Sequence, residues 1–431
     1  MIFKKIGNFM KEYQIYKEII CIDLKSFYAS VECSFLNLDP FKTPLVVADK
    51  SRGGGSVVLA VSPFLKNLGV PSRCRIYELP KNINIIFRRP QMKKYMIVAK
   101  KIIEIYLNYI SEEDLHIYSI DEAFLDLTPY LSLYKKNTKE IAQDILKSIY
   151  KKTGIYASCG IGKNMLLSKL ALDLEAKDSP DFISCWDYNS VKEKLWKVNS
   201  LSKMWGIGPR LEKKLHRLGI TNVYDLAHYN KEALKEHFGI LGEELYYHAN
   251  GIDQSKIQDK KYIFSKRKSY GQSQVLFRDY YAPDIYIIIR ETVDELTRKL
   301  RSSNYYTQTI RLGISYSKDF SSGFNRQITL NEPTMSGNEI FKVCIKLFQK
   351  FYKGFPIRKI YVGLTKLRKL EYKKISIFDH EEKSIEDENN IFHKVDEIKR
   401  KFGKNLINRS SSMLDSSTIR SRNKMVGGHH E

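Results

Sequence analysis

Cysteine is scarce and scattered in this chain: Cys21, Cys33, Cys74, Cys159, Cys185 and Cys344 form no CxxC and no Cys/His cluster. That pattern excludes a sequence-encoded disulfide frame or zinc site, and the six read as reduced packing residues. No apolar run reaches the roughly 18 residues of a transmembrane helix. The opening stretch MIFKKIGNFMKEYQIYKE is too interrupted by charge for a signal peptide, so a cytoplasmic location without a membrane partner is expected. Internal repeats are absent, which excludes a solenoid. Acidic residues are in deficit, 49 Asp plus Glu against 72 Lys plus Arg, for a net charge of +23. Such an excess suggests a polyanionic partner, nucleic acid ahead of a membrane surface.

What is present is the material of a folded protein. Hydrophobic residues make up 43% and aromatics 12% of 431 residues, enough for a sizeable core and two to four domains. Residues 19–24 read as a buried strand and SFYASVECSFL as a short helix; 37–90 is compact and turn-rich, with the glycine turn and strand of SRGGGSVVLAVS. From 91 to 110 the pattern is helical, with Met92, Tyr95, Met96, Ala99, Ile102, Ile103, Tyr106 and Ile110 on one face. Residues 115–120 and 122–128 read as strands, followed by a helix at 138–152, the strand IYASCGIG and the helix KNMLLSKLALDL. Short helices are expected over 199–250, then a basic linker ending near 268. A further α+β domain follows: strands SYGQSQVLF, TQTIRLGISYS and IRKIYVGLTKL, with helices near 282–302 and 336–352. The last 60 residues, with the acidic cluster EEKSIEDEN and a Ser-rich basic end, are expected to be mobile in part.

Two apolar runs carry carboxylates that resist burial. Asp23 follows Ile19, Ile20, Cys21 and Ile22, and Asp121 with Glu122 interrupts LHIYSIDEAFLDL. Placed at strand ends, the three can converge at a sheet edge, where a hard divalent ion with oxygen ligands would neutralise them. The plainer alternative has Asp121 capping a turn and Glu122 facing solvent.

IDLKSFYASVE together with YSIDEAFLDLT resembles the paired metal motifs of Y-family, lesion-bypass DNA polymerases. GIGKNMLLSKLA, the hairpin GIGPRLEKKL and the basic domain after the linker fall in that family's order, so the likeness covers roughly residues 18–370. SPFLKNLGVPSR is more similar to the UmuC-type branch, with its Gram-positive UvrX-like and plasmid-borne ImpB/MucB/SamB members, than to the DinB type. The resemblance implies an α/β and α+β multidomain right hand. Its ferredoxin-like palm would be 19–36 and 91–187 after an N-terminal extension of 1–18, with small fingers at 37–90 and a helix-hairpin-helix thumb at 188–252. A linker at 253–268, an α+β little finger at 269–370 and a tail at 371–431 complete the expected order. The implied activity is low-fidelity, template-directed DNA synthesis in damage tolerance of the SOS type, using two Mg²⁺ ions with Mn²⁺ as a substitute, on primer-template DNA and dNTPs.

By the same resemblance, Asp23 and Asp121 would bridge both ions, Glu122 would support the primer-side ion and the Leu24 carbonyl would be a backbone ligand. Tyr28 would exclude a ribose 2′-hydroxyl beside Phe27, and Lys169 and Lys66 would bind the triphosphate. Lys66 stands where many members have arginine and Pro63 where they have tyrosine; Arg73 and Arg75 are alternative cations, and Ser119 lies near the metal positions. Gly206 and Gly208 allow a hairpin turn that offers N–H groups to a DNA phosphate, with Lys213, Lys214 and Arg217 one turn on. Lys266, Arg267, Lys268, Arg311 and Arg326 are the candidate phosphate contacts of the last domain. KISIF, with Ile375, Ile377 and Phe378, is similar to a bacterial sliding-clamp-binding peptide in which Lys374 replaces the glutamine. Fewer than 20 residues precede the palm and no second acidic constellation follows it, so no proofreading exonuclease is expected. Two other readings remain open: a nucleotidyl cyclase, which needs no helix-hairpin-helix, and a non-catalytic DNA-binding relative, which needs no intact carboxylates.

Overall fold

The computed structural model describes residues 11–259, 269–320, 322–369, 380–426 and 429–430. The chain forms two compact units that divide near residue 263. No helix among the described residues is long and apolar enough to cross a membrane.

The first unit contains, in order, β1 (Ile19–Leu24), α1 (Phe27–Phe35), β2 (Leu45–Val47), β3 (Ala60–Val61), β4 (Ile86–Arg88) and α2 (Met92–Leu107). It continues with β5 (Leu115–Ile117), β6 (Glu122–Asp126), α3 (Thr138–Thr153), β7 (Ala157–Gly162), α4 (Met165–Ala171) and β8 (Ile183–Trp186). A five-stranded sheet runs β5-β6-β1-β7-β8, and a three-stranded sheet runs β3-β2-β4. The β-branched run of β1 fills the centre of the larger sheet, where Ile20 and Ile22 are fully buried beneath α2 and α3. Asn137 and Glu140 form a capping box that starts α3. On α2, Val98 and Ile105 point inward, whereas Met96 is half exposed, a small rotation from the expected face.

The expected strands around the acidic pair are shorter than their apolar runs: β5 stops at Ile117 and β6 starts at Glu122. The N–H groups of Tyr118 and Ser119 both donate to the Glu122 carbonyl, which turns the chain and places Asp121 at the tip. Short helices follow over residues 188–249, including α5 (Pro209–His216), around a separate apolar core.

The second unit has β9 (Ser269–Tyr280), α6 (Ile285–Ser303), β10 (Thr307–Tyr316), β11 (Phe324–Thr334), α7 (Gly337–Phe351) and β12 (Ile357–Thr365). Its antiparallel sheet runs β11-β10-β12-β9 with both helices on one face. β11 had no counterpart in the sequence reading, because FNRQITLNEPT is a mostly exposed edge strand without a clear apolar alternation.

The tail departs further from expectation. Described residues beyond 379 include α8 (His380–Phe402) and are tied to α6 by buried polar contacts rather than hanging free. Arg301 pairs with Asp396 at 2.8 Å, and Arg409 grips Asp294 with Nε and Nη2 at 2.6 and 3.1 Å. The Glu291 carboxylate, 3% exposed, accepts from Ser417 Oγ, Thr418 N and Thr418 Oγ1. Charges on α6 that would be intolerable unpaired are thus the docking points of the tail.

Candidate active site

The register of three strands sets out the site. Asp23 lies opposite Glu122 on β6 and opposite Ser158 on β7. Directly opposed residues share a face with their Cβ atoms about 4.5–5.5 Å apart, so the two carboxylates and the serine form one row. Asp121 joins through the backbone, since the Leu24 N–H donates to its carbonyl at 2.9 Å. Its own carboxylate accepts from Ser119 Oγ at 2.5 Å. An apolar hollow of about 340 Å³, walled by Met96, Ala99, Ile103, Ile117 and Ile120, adjoins Asp121.

Helix α4 closes over this row because two strand residues have no side chain. A Cβ at Gly160 would overlap the backbone of Ser168 and Leu172, and one at Gly162 would overlap Ser168 and Leu167. The close approach carries Lys169 to Glu122 at 2.7 Å. A π-helical turn, Leu172–Ala176, follows α4 and delivers Lys177. Lys177 Nζ lies 3.0 Å from Asp23 Oδ2 and 2.7 Å from Asp173 Oδ1, and Asp173 also meets Lys169 at 3.0 Å. The result is an alternating chain of charge from Glu122 through Lys169, Asp173 and Lys177 to Asp23.

Electrostatics follow from burial and this chain. Burial pushes the Asp23 carboxyl up, against the pull of Lys177. For Lys169 burial works the other way, but the hydrogen bond to Glu122 and the surrounding anions hold the ammonium above its usual range. Lys66, close to Asp23, Lys177 and Asp121, is lowered chiefly by desolvation. Tyr28 is raised by burial and by the nearby Asp121 charge. Its ring stacks on Tyr95, centroids 4.6 Å apart at 21°, and the Tyr95 hydroxyl donates to the fully buried Glu32. Arg88 and Lys94 complete the Glu32 cage at 3.1 and 2.9 Å. Phe27 is buried in the core and contacts the Tyr28 ring edge, so it supports rather than lines the site.

No three His, Cys, Asp or Glu side chains among the described residues stand together in ligand geometry. Asp23 and Glu122 are instead drawn towards lysines and Asp121 towards Ser119. The donor set still suits a hard divalent ion: Asp23, Asp121, Glu122 and the Leu24 carbonyl offer only oxygen. The Ser158 hydroxyl, fully buried beside Asp23, has no hydrogen-bond partner.

The impB/mucB/samB family matches residues 22–173, its HHH motif residues 188–220 and its C-terminal domain residues 267–377. UvrX of Bacillus subtilis (strain 168), named for UV-damage repair, is 39% identical over 96% of this chain and 97% of its own length. This chain belongs to the Y family of DNA polymerases. DNA polymerase IV 2 of the same organism is 31% identical over 96% of this polymerase and 99% of its own length. A solved chimera of the Y-family polymerases Dbh and Dpo4 has the same fold, with a TM-score of 0.65 at 21% identity over 81% of this chain and 99% of that one. The polymerase is accordingly a right hand with palm, fingers, helix-hairpin-helix thumb and little finger, performs template-directed translesion DNA synthesis from dNTPs on primer-template DNA, and depends on divalent metal. These matches favour a polymerase over a cyclase or a non-catalytic relative.

The residues expected to face DNA are less uniform. Gly206, with φ of 88°, and Gly208 form the turn before α5, whose Lys213 and Lys214 are exposed. In the little finger, Arg311 lies on the sheet face away from the helices, beside an open groove of about 600 Å³ lined also by Ser273, Ser315, Lys359 and Tyr361. Arg326 also borders that groove, although it is in register with buried Leu312 and its guanidinium sits 5.2 Å from the Phe351 ring. Lys266, Arg267, Lys268 and the peptide bearing Ile375, Ile377 and Phe378 lie outside the described residues. Sequence reading missed Lys177, Asp173, Ser158 and the Tyr95–Glu32 support. For the first two, the i, i+4 spacing of Lys169, Asp173 and Lys177 was the one available signal.

Proposed function

We propose that this polymerase joins a dNTP to a primer 3′-hydroxyl at the row formed by Asp23, Asp121 and Glu122, with two Mg²⁺ ions held by these carboxylates and the Leu24 carbonyl, and with Mn²⁺ as a substitute. The observation that carries the reading is the register: Asp23 opposite Glu122, with Asp121 hydrogen-bonded through its backbone to Leu24. Bound there, the ions would acidify the attacking hydroxyl and neutralise the pyrophosphate that leaves. Glu122 and Asp23 exchange their lysine partners for the ions as the site loads. Lys169 and Lys66 hold the triphosphate as point charges, without the bidentate grip of an arginine. Tyr28, propped by Tyr95, closes the space a 2′-hydroxyl would fill. The thumb turn at Gly206 and Gly208 and the open little-finger face with Arg311 grip phosphates irrespective of sequence. Residues 374–378 tether the polymerase to the sliding clamp, and it works in the cytoplasm.

Asp121→Ala or Asp23→Ala abolishes primer extension while primer-template affinity stays within a few-fold, because DNA affinity rests on many dispersed phosphate contacts. Substantial extension by either variant at saturating Mg²⁺ refutes the assignment.

A further inference from the structure

Lys177 belongs to no expected site, yet it forms an ion pair with Asp23. Its ammonium lies 3.0 Å from Oδ2, the Asp173 carboxylate holds it from the other side at 2.7 Å, and its own carbonyl is fixed by Lys25 Nζ at 2.7 Å. Lys25 is itself anchored over the Phe182 ring at 4.0 Å. The Lys177 backbone is therefore fixed. Its side chain, 38% exposed, keeps a path to solvent.

We propose that Lys177 is a resident counter-cation of Asp23, holding that carboxylate against metal entry until a nucleotide triphosphate draws the ammonium away. The inference rests on the assignment of Asp23 as a metal ligand. Its physical basis is competition: one carboxylate oxygen serves an ammonium or a divalent ion, and two cations at that oxygen repel each other. A triphosphate resolves the conflict by offering several anionic oxygens within reach of the same lysine stem. In the free protein Lys66 and Lys169, which flank the site, do not neutralise Asp23. Lys169 is committed to Glu122 and Asp173, and Lys66 has no ion pair to Asp23 within 4.0 Å among those the described residues form. Metal and nucleotide then load together, and the free protein leaves its ligands neutralised rather than charged with metal.

The test is Mn²⁺ binding followed by electron paramagnetic resonance, first on the full chain without DNA or nucleotide. Lys177→Met should bind Mn²⁺ about five- to tenfold more tightly than the parent, within the usual range of site coupling. Lys177→Arg, which keeps the charge, should behave as the parent. With primer-template DNA and Ca²⁺, Lys177→Met should bind dNTP about tenfold more weakly, the opposite sign. A purely structural lysine would weaken both. Unchanged or weaker Mn²⁺ binding by Lys177→Met overturns the inference while leaving Asp23 a ligand if Asp23→Asn still removes Mn²⁺ from the ternary complex. If Asp23→Asn binds Mn²⁺ there as the parent does, both the ligand assignment and the counter-cation fall.

Discussion

In the proposed site a single ring, Tyr28, would decide which sugar is accepted, and its position depends on Tyr95, one layer further into the core. Tyr28 stacks on Tyr95, and Tyr95 is pinned by the buried Glu32. Tyr28→Ala should raise ribonucleotide over deoxyribonucleotide incorporation without abolishing synthesis, read as the ratio of the two kcat/KM values; an unchanged ratio counts against the gate. Tyr95→Ala should move the same ratio in the same direction, because the support is lost. At Glu32 the consequence is thermodynamic, since Arg88, Lys94 and Tyr95 converge on one fully buried carboxylate. Glu32→Ala leaves two cations facing an empty cage and should lower unfolding stability by about 3–5 kcal/mol in a denaturant titration. The carboxylates proposed as metal ligands stand out in the sequence because each breaks an apolar run. Lys177 was not, because a lysine in LEAKDSP looks like any solvated helix end.

Elements show why local pattern reading succeeds for some segments and fails for others. The strands β1 and β7 and the helices α2 and α3 follow from alternation and 3.6-residue periodicity, since their partners impose one buried face each. The tail could not be read this way. Asp396, Arg409 and Thr418 match Arg301, Asp294 and Glu291, which lie about a hundred residues earlier, and the complementarity is visible only once α6 is folded. Arg301→Ala should lower the melting temperature of the second unit by about 10 °C, the equivalent of breaking one buried pair. A shift under about 2 °C would mean that the tail contributes little. The open face of the little-finger sheet has its own device. The Tyr361 ring lies along its own strand and towards β9, so that a Cβ on Gly363 or on Gly271 would meet its hydroxyl at 2.5 or 2.8 Å. Gly363→Val should lift the ring into the groove and weaken duplex binding in a fluorescence-anisotropy titration, with little effect on dNTP affinity.

For the whole molecule, the charge of +23 and the proposed phosphate grips of thumb and little finger predict tight but salt-sensitive binding. If six to ten phosphates are contacted, affinity should fall by about 10³ to 10⁵ between 50 and 200 mM salt, and a flat response is incompatible with this architecture. Such binding does not hold a polymerase at a primer end for long, and the proposed clamp tether would make up the difference. Ile377→Ala with Phe378→Ala should reduce clamp-stimulated synthesis and leave clamp-free extension unchanged; equal stimulation of variant and parent refutes the tether. The closeness of α4 to β7 also has a genetic consequence. Every single-base missense change in a glycine codon installs a side-chain carbon, and at Gly160 and Gly162 that carbon strikes main-chain atoms of the helix carrying Lys169. A random screen for loss of damage-induced mutagenesis should therefore return these two codons alongside those of Asp23 and Asp121, and should spare the many surface lysines that bind DNA one at a time.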